Sequence, residues 1–104
     1  MRLRRDRFHD VLARQLDLFV EDEADLLEEA RERARAYERA DREDREEAYG
    51  DWSDVVEAAT EALADMRDRF ARTLDEAAAE TYEDSFNRAV RKRWPDLGLD
   101  IENR

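Results

Sequence analysis

Glu23 stands in the middle of an apolar helical stripe, between Phe19 and Leu26. A carboxylate at such a position turns to solvent or meets an arginine. Buried carboxylates on facing bundle helices also build metal sites when histidine or further glutamates join them. The Glu-x-x-His pattern of diiron bundles is missing, and the expected helix pairing sets Glu23 opposite Ala77, Ala78 and Thr81, small residues that leave it room. The leading reading is a solvated or arginine-paired Glu23, and a metal-dependent helical-bundle enzyme centred on Glu23 is the sharper alternative. His9 is the only histidine, with Asp6 three residues before it on the same helical face. Two ligands do not make a metal centre or a catalytic dyad, so a surface histidine is the plainer reading. Ser53, Thr60, Thr73, Thr81 and Ser85 have no histidine within reach, which argues against a hydrolase triad. With no glycine-rich phosphate loop and no cysteine, the chain offers no nucleotide fingerprint, disulfide framework or thiolate metal site. No catalytic residue, metal ligand or cofactor is assigned.

The arginines carry a clearer signal. Residues 2 to 14 hold five Arg against two Asp, and residues 88 to 94 hold three Arg and one Lys with no acid, whereas residues 15 to 30 hold seven acids and no base. Antiparallel pairing of the two halves of the chain brings both basic segments to one open end. Cations complement the macrodipole at a helix C-terminus but not at an N-terminus, so this cluster calls for a counter-charge. The acidic segment of a second subunit is the leading candidate, and an external anion, a phosphate backbone or an acidic protein, is the next. Arg4, Arg5, Arg91 and Lys92 are the candidate anion-binding residues. A net charge of −11 argues against nonspecific nucleic-acid binding by the molecule as a whole, and Trp94 beside the cations is weak support for base stacking.

These groups must be carried by helices. Charged residues make up 47 % of the 104-residue chain and glycine plus proline only three residues, a composition that favours long helices and a single domain. Gly50 is placed to end one helix in a left-handed cap, and Asp51, with Asp54 three residues on, to start the next. The expected fold is therefore all-α: a long antiparallel αα-hairpin over residues 1 to 94, helix 1 about 4–49 and helix 2 about 52–94, followed by a C-terminal tail, 95–104, beyond Pro95. Phe8, Leu12, Leu16, Phe19, Leu26, Ala30, Ala34 and Tyr37 form one stripe on helix 1. Trp52, Val55, Ala59, Leu63, Met66, Phe70, Leu74 and Ala77 form the facing stripe on helix 2. Residues 38–47 lack apolar anchors and are expected to fray.

The apolar surface is too broad for two helices. Val11, Leu18, Val20 and Leu27 flank the stripe of helix 1, and Tyr82, Phe86, Val90 and Trp94 wind away from the first face of helix 2. The economical solution is a homodimer of hairpins, a four-helix bundle with these eight residues at the partner interface. The competing solution breaks helix 2 near Ala79 and folds its end over helix 1 as a third helix. The tail residues Leu97, Leu99 and Ile101 are expected to pack back onto the bundle; the aromatic ridge or the tail is also a candidate dock for another protein. The leading functional expectation is thus a non-enzymatic, cytoplasmic interaction or scaffold protein acting as a homodimeric bundle, with an anion-binding module as the alternative. No membrane segment is expected, because charges interrupt every apolar run.

Overall fold

The computed structural model describes residues 7–104, and among them all regular structure is helical: α1 His9–Asp22, α2 Ala24–Arg39, α3 Arg45–Ala71, α4 Glu76–Arg93 and a short 3-10 turn at Ile101–Asn103. None of these helices is long and apolar enough to cross a membrane. The chain folds as a three-rod bundle about 51 Å in its longest dimension, not as a hairpin with two unbroken arms. Three local breaks account for the difference.

The first is at Glu23, whose backbone (φ −115°, ψ 30°) leaves the helical region while its N–H still reaches Phe19 and its carbonyl still accepts from Leu27. The rod bends rather than ends. The stripe shifts by one residue across the bend, so that Leu27 enters the core beside Leu12, Leu16 and Phe19, and Leu26 moves to its margin.

The second break is the turn between the arms, and it corrects the expected cap at Gly50. Ala40 is extended (ψ 137°), and the Asp41 carboxylate accepts from the Asp44 backbone N–H at 3.1 Å, closing a turn over 41–44. Aspartate bonds its own following backbone in this way and competes with the helix ladder. With no apolar contact to hold 38–47 straight, that competition decides the outcome. Gly50 lies within the second turn of α3, where a Cβ would meet nothing within 4 Å.

The third break divides the expected helix 2 at residues 72–75, earlier than Ala79. Thr73 donates its hydroxyl to the Phe70 carbonyl at 2.6 Å, and Asp75, extended at ψ 168°, caps α4 by accepting from the Ala78 N–H at 2.8 Å. An aspartate N-cap of this type is worth about 1 kcal/mol. The chain reverses there, and α4 folds back over α1 and α3. Tyr82 meets Phe8 edge-on at 5.3 Å between ring centroids and Phe70 at 4.7 Å, while Trp94 meets Phe19 at 5.9 Å. The pairs 8 with 82 and 19 with 94 show that α4 runs parallel to α1.

The tail completes the core. Leu97 and Ile101 are buried, and the guanidinium of Arg67 on α3, itself buried, donates to the Ile101 carbonyl at 3.1 Å and to Asn87 Oδ1 on α4 at 3.0 Å. Gly98 takes a left-handed φ of +74° where the tail crosses Trp52, and a Cβ there would stand 3.2 Å from the indole ring.

Candidate functional site

The parallel run of α1 and α4 leaves a furrow between them. Leu12 and Leu16 from α1 and Ala89 from α4 form its apolar floor, Ala13 and Ser85 its sides, and His9, Arg88, Lys92 and Arg93 its rim, around a volume of about 420 Å³. That volume falls within the range of small ligand and anchor pockets. The four-residue spacing of Ser85, Ala89 and Arg93, with Arg88 and Lys92 beside them, places the small side chains inward and the long cations outward. Their position in the last two turns of α4 favours positive charge through the helix dipole.

The rim is partly neutralised from inside the chain. Arg93 donates to Asp17 of α1 at 2.7 Å and lies 5.5 Å over the Trp94 ring. Arg88 donates to Ser85 Oγ at 3.2 Å. Arg91 points to the other side of α4, where it pairs with Glu102 of the tail. Lys92 is exposed on the rim and makes no ion pair among the described residues.

Of the expected anion-binding set, Arg4 and Arg5 lie outside the described residues, and Arg91 and Lys92 are separated onto two faces. The expected meeting of both basic segments at one open end gives way to a different arrangement. Since α4 runs parallel to α1, its basic end lies against the acidic half of α1, and Asp17 of the same chain supplies part of the counter-charge expected from a second subunit.

The eight expected interface residues also divide. Leu27, Tyr82, Phe86, Val90 and Trp94 are buried in the core of the single chain, and Val20 is partly buried against it. The reversal at 72–75 is the physical reason, because it turns the aromatic ridge inward. Val11 and Leu18 remain exposed. The ridge is thus not a surface for another protein, and the tail is packed on its own bundle as expected.

Glu23 sits at the bend, half-exposed, beside Asp22 and facing Ala62, Asp65, Met66 and Arg69 of α3 rather than Ala77, Ala78 and Thr81. Among the described residues no group of three His, Cys, Asp or Glu side chains is placed to hold a metal ion. His9 is exposed at the mouth of the furrow, and its expected neighbour Asp6 lies outside the described residues. In the core, the Tyr82 hydroxyl donates to Gln15 Oε1 at 2.7 Å, and burial pushes its pKa up to about 12.

Sequence reasoning singled out Lys92 but missed the floor it borders. Leu12 and Leu16 read as ordinary core positions, and the only available signal was the pair of small residues, Ala13 and Ala89, on the flanks of two apolar stripes. Compared with known proteins, the chain matches no protein-family model, no curated protein and no solved structure.

Proposed function

We propose that this protein is a non-enzymatic interaction module that docks an acidic amphipathic helix of another protein in the furrow between α1 and α4. The observation that supports it is an apolar floor, Leu12, Leu16 and Ala89, bordered by Arg88, Lys92 and Arg93 along two parallel helices. A furrow between two helices accepts a third by ridge-into-groove packing, and adding one helix to this bundle makes four. Leucines spaced three and four residues apart would meet the floor while flanking glutamates reach the rim. A phosphate backbone suits the site less well, since it offers nothing apolar for the floor. The reading assigns no chemistry to Glu23 or His9 and places the protein in the cytoplasm, where a cysteine-free chain loses nothing to a reducing environment.

The test is a titration with a synthetic helix of about 18 residues, five turns, carrying leucines at that spacing and glutamates elsewhere. Backbone amide shifts should concentrate at Ala13, Ser85, Ala89 and Lys92. Lys92→Glu should weaken binding at least tenfold, and added salt should weaken it further. Equal binding of a lysine-for-glutamate version of the peptide, or shifts spread away from the furrow, would refute the reading.

A further inference from the structure

A single ion pair fastens the two walls of the furrow to each other. Arg93, on the α4 rim, donates through Nη2 to Asp17 Oδ1 of α1 at 2.7 Å, beside the apolar floor. The bond uses one of the five N–H groups of a guanidinium whose fork is able to hold a carboxylate by two. Its side chains are 35 % and 69 % exposed, which places it among the ion pairs that cost little to open. The Arg93 guanidinium also lies 5.5 Å over the Trp94 ring, a contact that keeps it at the rim whichever carboxylate it holds. Asp17 has a second cation within its own helix. Arg14, three residues earlier on α1, is exposed and makes no ion pair among the described residues.

The other charges around Arg93 do not compete for it. Arg88 and Lys92 share its rim and carry the same sign. Arg31, Arg35, Glu38 and Asp96 line a separate cavity of about 300 Å³ on its other side, and neither acid bonds to it. Glu21, one turn beyond Asp17 on α1, is exposed and makes no ion pair among the described residues. Among the described residues, then, Asp17 alone holds Arg93, and it does so with a carboxylate carried on a helix, the group that the docking reading assigns to the partner. We propose that Asp17 is an internal stand-in for the partner: the docked helix sets a glutamate on Arg93, Asp17 turns away to Arg14, and this exchange limits the affinity of the furrow. The inference rests on the docking reading above and adds to it a carboxylate of the partner that must reach Arg93 and a competitor for that place within the chain.

Calorimetric titration with the same leucine–glutamate helix tests the exchange. Asp17→Asn keeps the shape of the side chain, and circular dichroism checks that α1 holds. The variant should bind the peptide about threefold more tightly than the parent, the scale of one exposed ion pair no longer broken on binding. Removing a negative charge favours an acidic peptide by long-range attraction too, and two controls separate that effect. Glu21→Gln removes the same charge without touching Arg93 and should gain less. In an Arg93→Gln background the gain from Asp17→Asn should shrink to that of Glu21→Gln, since only the shared contact is coupled. The Arg93 Nε–Hε resonance should also move as peptide is added to the parent. Peptide that docks in the furrow while Asp17→Asn gains no more than Glu21→Gln, or gains equally with and without Arg93, overturns the exchange and leaves the docking reading standing. Peptide that leaves the furrow amides unmoved in both the parent and Asp17→Asn overturns both.

Discussion

Replacing Arg67 with methionine should release the tail before it unfolds the bundle. Methionine keeps an unbranched stem for packing and removes the guanidinium, which donates to Asp68 Oδ1 at 2.8 Å, to Asn87 Oδ1 at 3.0 Å and to the Ile101 carbonyl at 3.1 Å. Asp68 is half in water and loses little. The Ile101 carbonyl belongs to a fully buried residue and would keep only the Arg104 backbone N–H, at 3.2 Å, as its donor. Leaving the half-buried Asn87 Oδ1 unpartnered costs about 1 to 3 kcal/mol, and the lost second bond to the Ile101 carbonyl about 0.5 to 1.5 kcal/mol more. Relief from desolvating a buried cation returns part of that, so the net loss should be about 2 kcal/mol, a large fraction of the roughly 5–15 kcal/mol of a domain this size. Urea unfolding followed by far-UV circular dichroism measures the global loss, and amide hydrogen exchange at Leu97 and Ile101–Arg104 measures the local one. Protection in the tail should fall more than protection in α3. Arg67→Lys should recover less than half, since one ammonium cannot reproduce the two-sided fork. A methionine variant as stable as the parent, with tail protection intact, would show that packing of Leu97 and Ile101 holds the tail and that the arginine bonds are dispensable.

The two glycines should respond in opposite directions. Gly50→Ala should stabilise by about 0.5 to 1 kcal/mol, because α3 has open space there and alanine restricts the unfolded chain; Gly98→Ala should cost at least about 1 kcal/mol at its left-handed φ against Trp52, with thermal midpoints reading both. Asp75→Ala should cost about 1 kcal/mol by removing the cap on Ala78, with Asp75→Asn close to the parent. For Tyr82, folding favours the neutral phenol, so its contribution is full below pH 10, the ordinary value, and lost as pH rises through about 12. Alkaline melts of the parent should fall more steeply over that interval than those of Tyr82→Phe, and equal slopes would mean that Tyr82 does not sense the pH.

The helical class and the stripes on α1 and α3 were legible because each rests on a period that a single helix imposes on its own residues, and the burial of Leu97 and Ile101 because apolar side chains alternating in a short tail need cover. The turns were not. Gly50 carried the strongest residue-level signal for a helix stop and is helical, while the chain turns at Asp41–Asp44, where the signal was only an absence of apolar anchors. A glycine permits a left-handed cap but does not require one, and α3 continues through it because Val56, Ala59 and Leu63 on one side and the Tyr37–Trp52 stack on the other hold the rod in place. The stack spans the α2–α3 turn with ring centroids 5.7 Å apart, a contact that no local reading of either helix contains.

The furrow was hidden for a related reason. Its two walls come from segments that are about seventy-five residues apart, and their pairing follows from the reversal at Thr73–Asp75. With helix 2 unbroken, the ridge Tyr82, Phe86, Val90 and Trp94 has no cover within one chain and a second subunit is required to supply it. With the reversal, the same four residues form the centre of the single chain, and the furrow opens where α4 lies alongside α1. Asp75 is the residue on which this alternative turns, since its carboxylate satisfies a backbone donor that an unbroken helix would have bonded internally. The furrow between α1 and α4 is a consequence of where one helix stops.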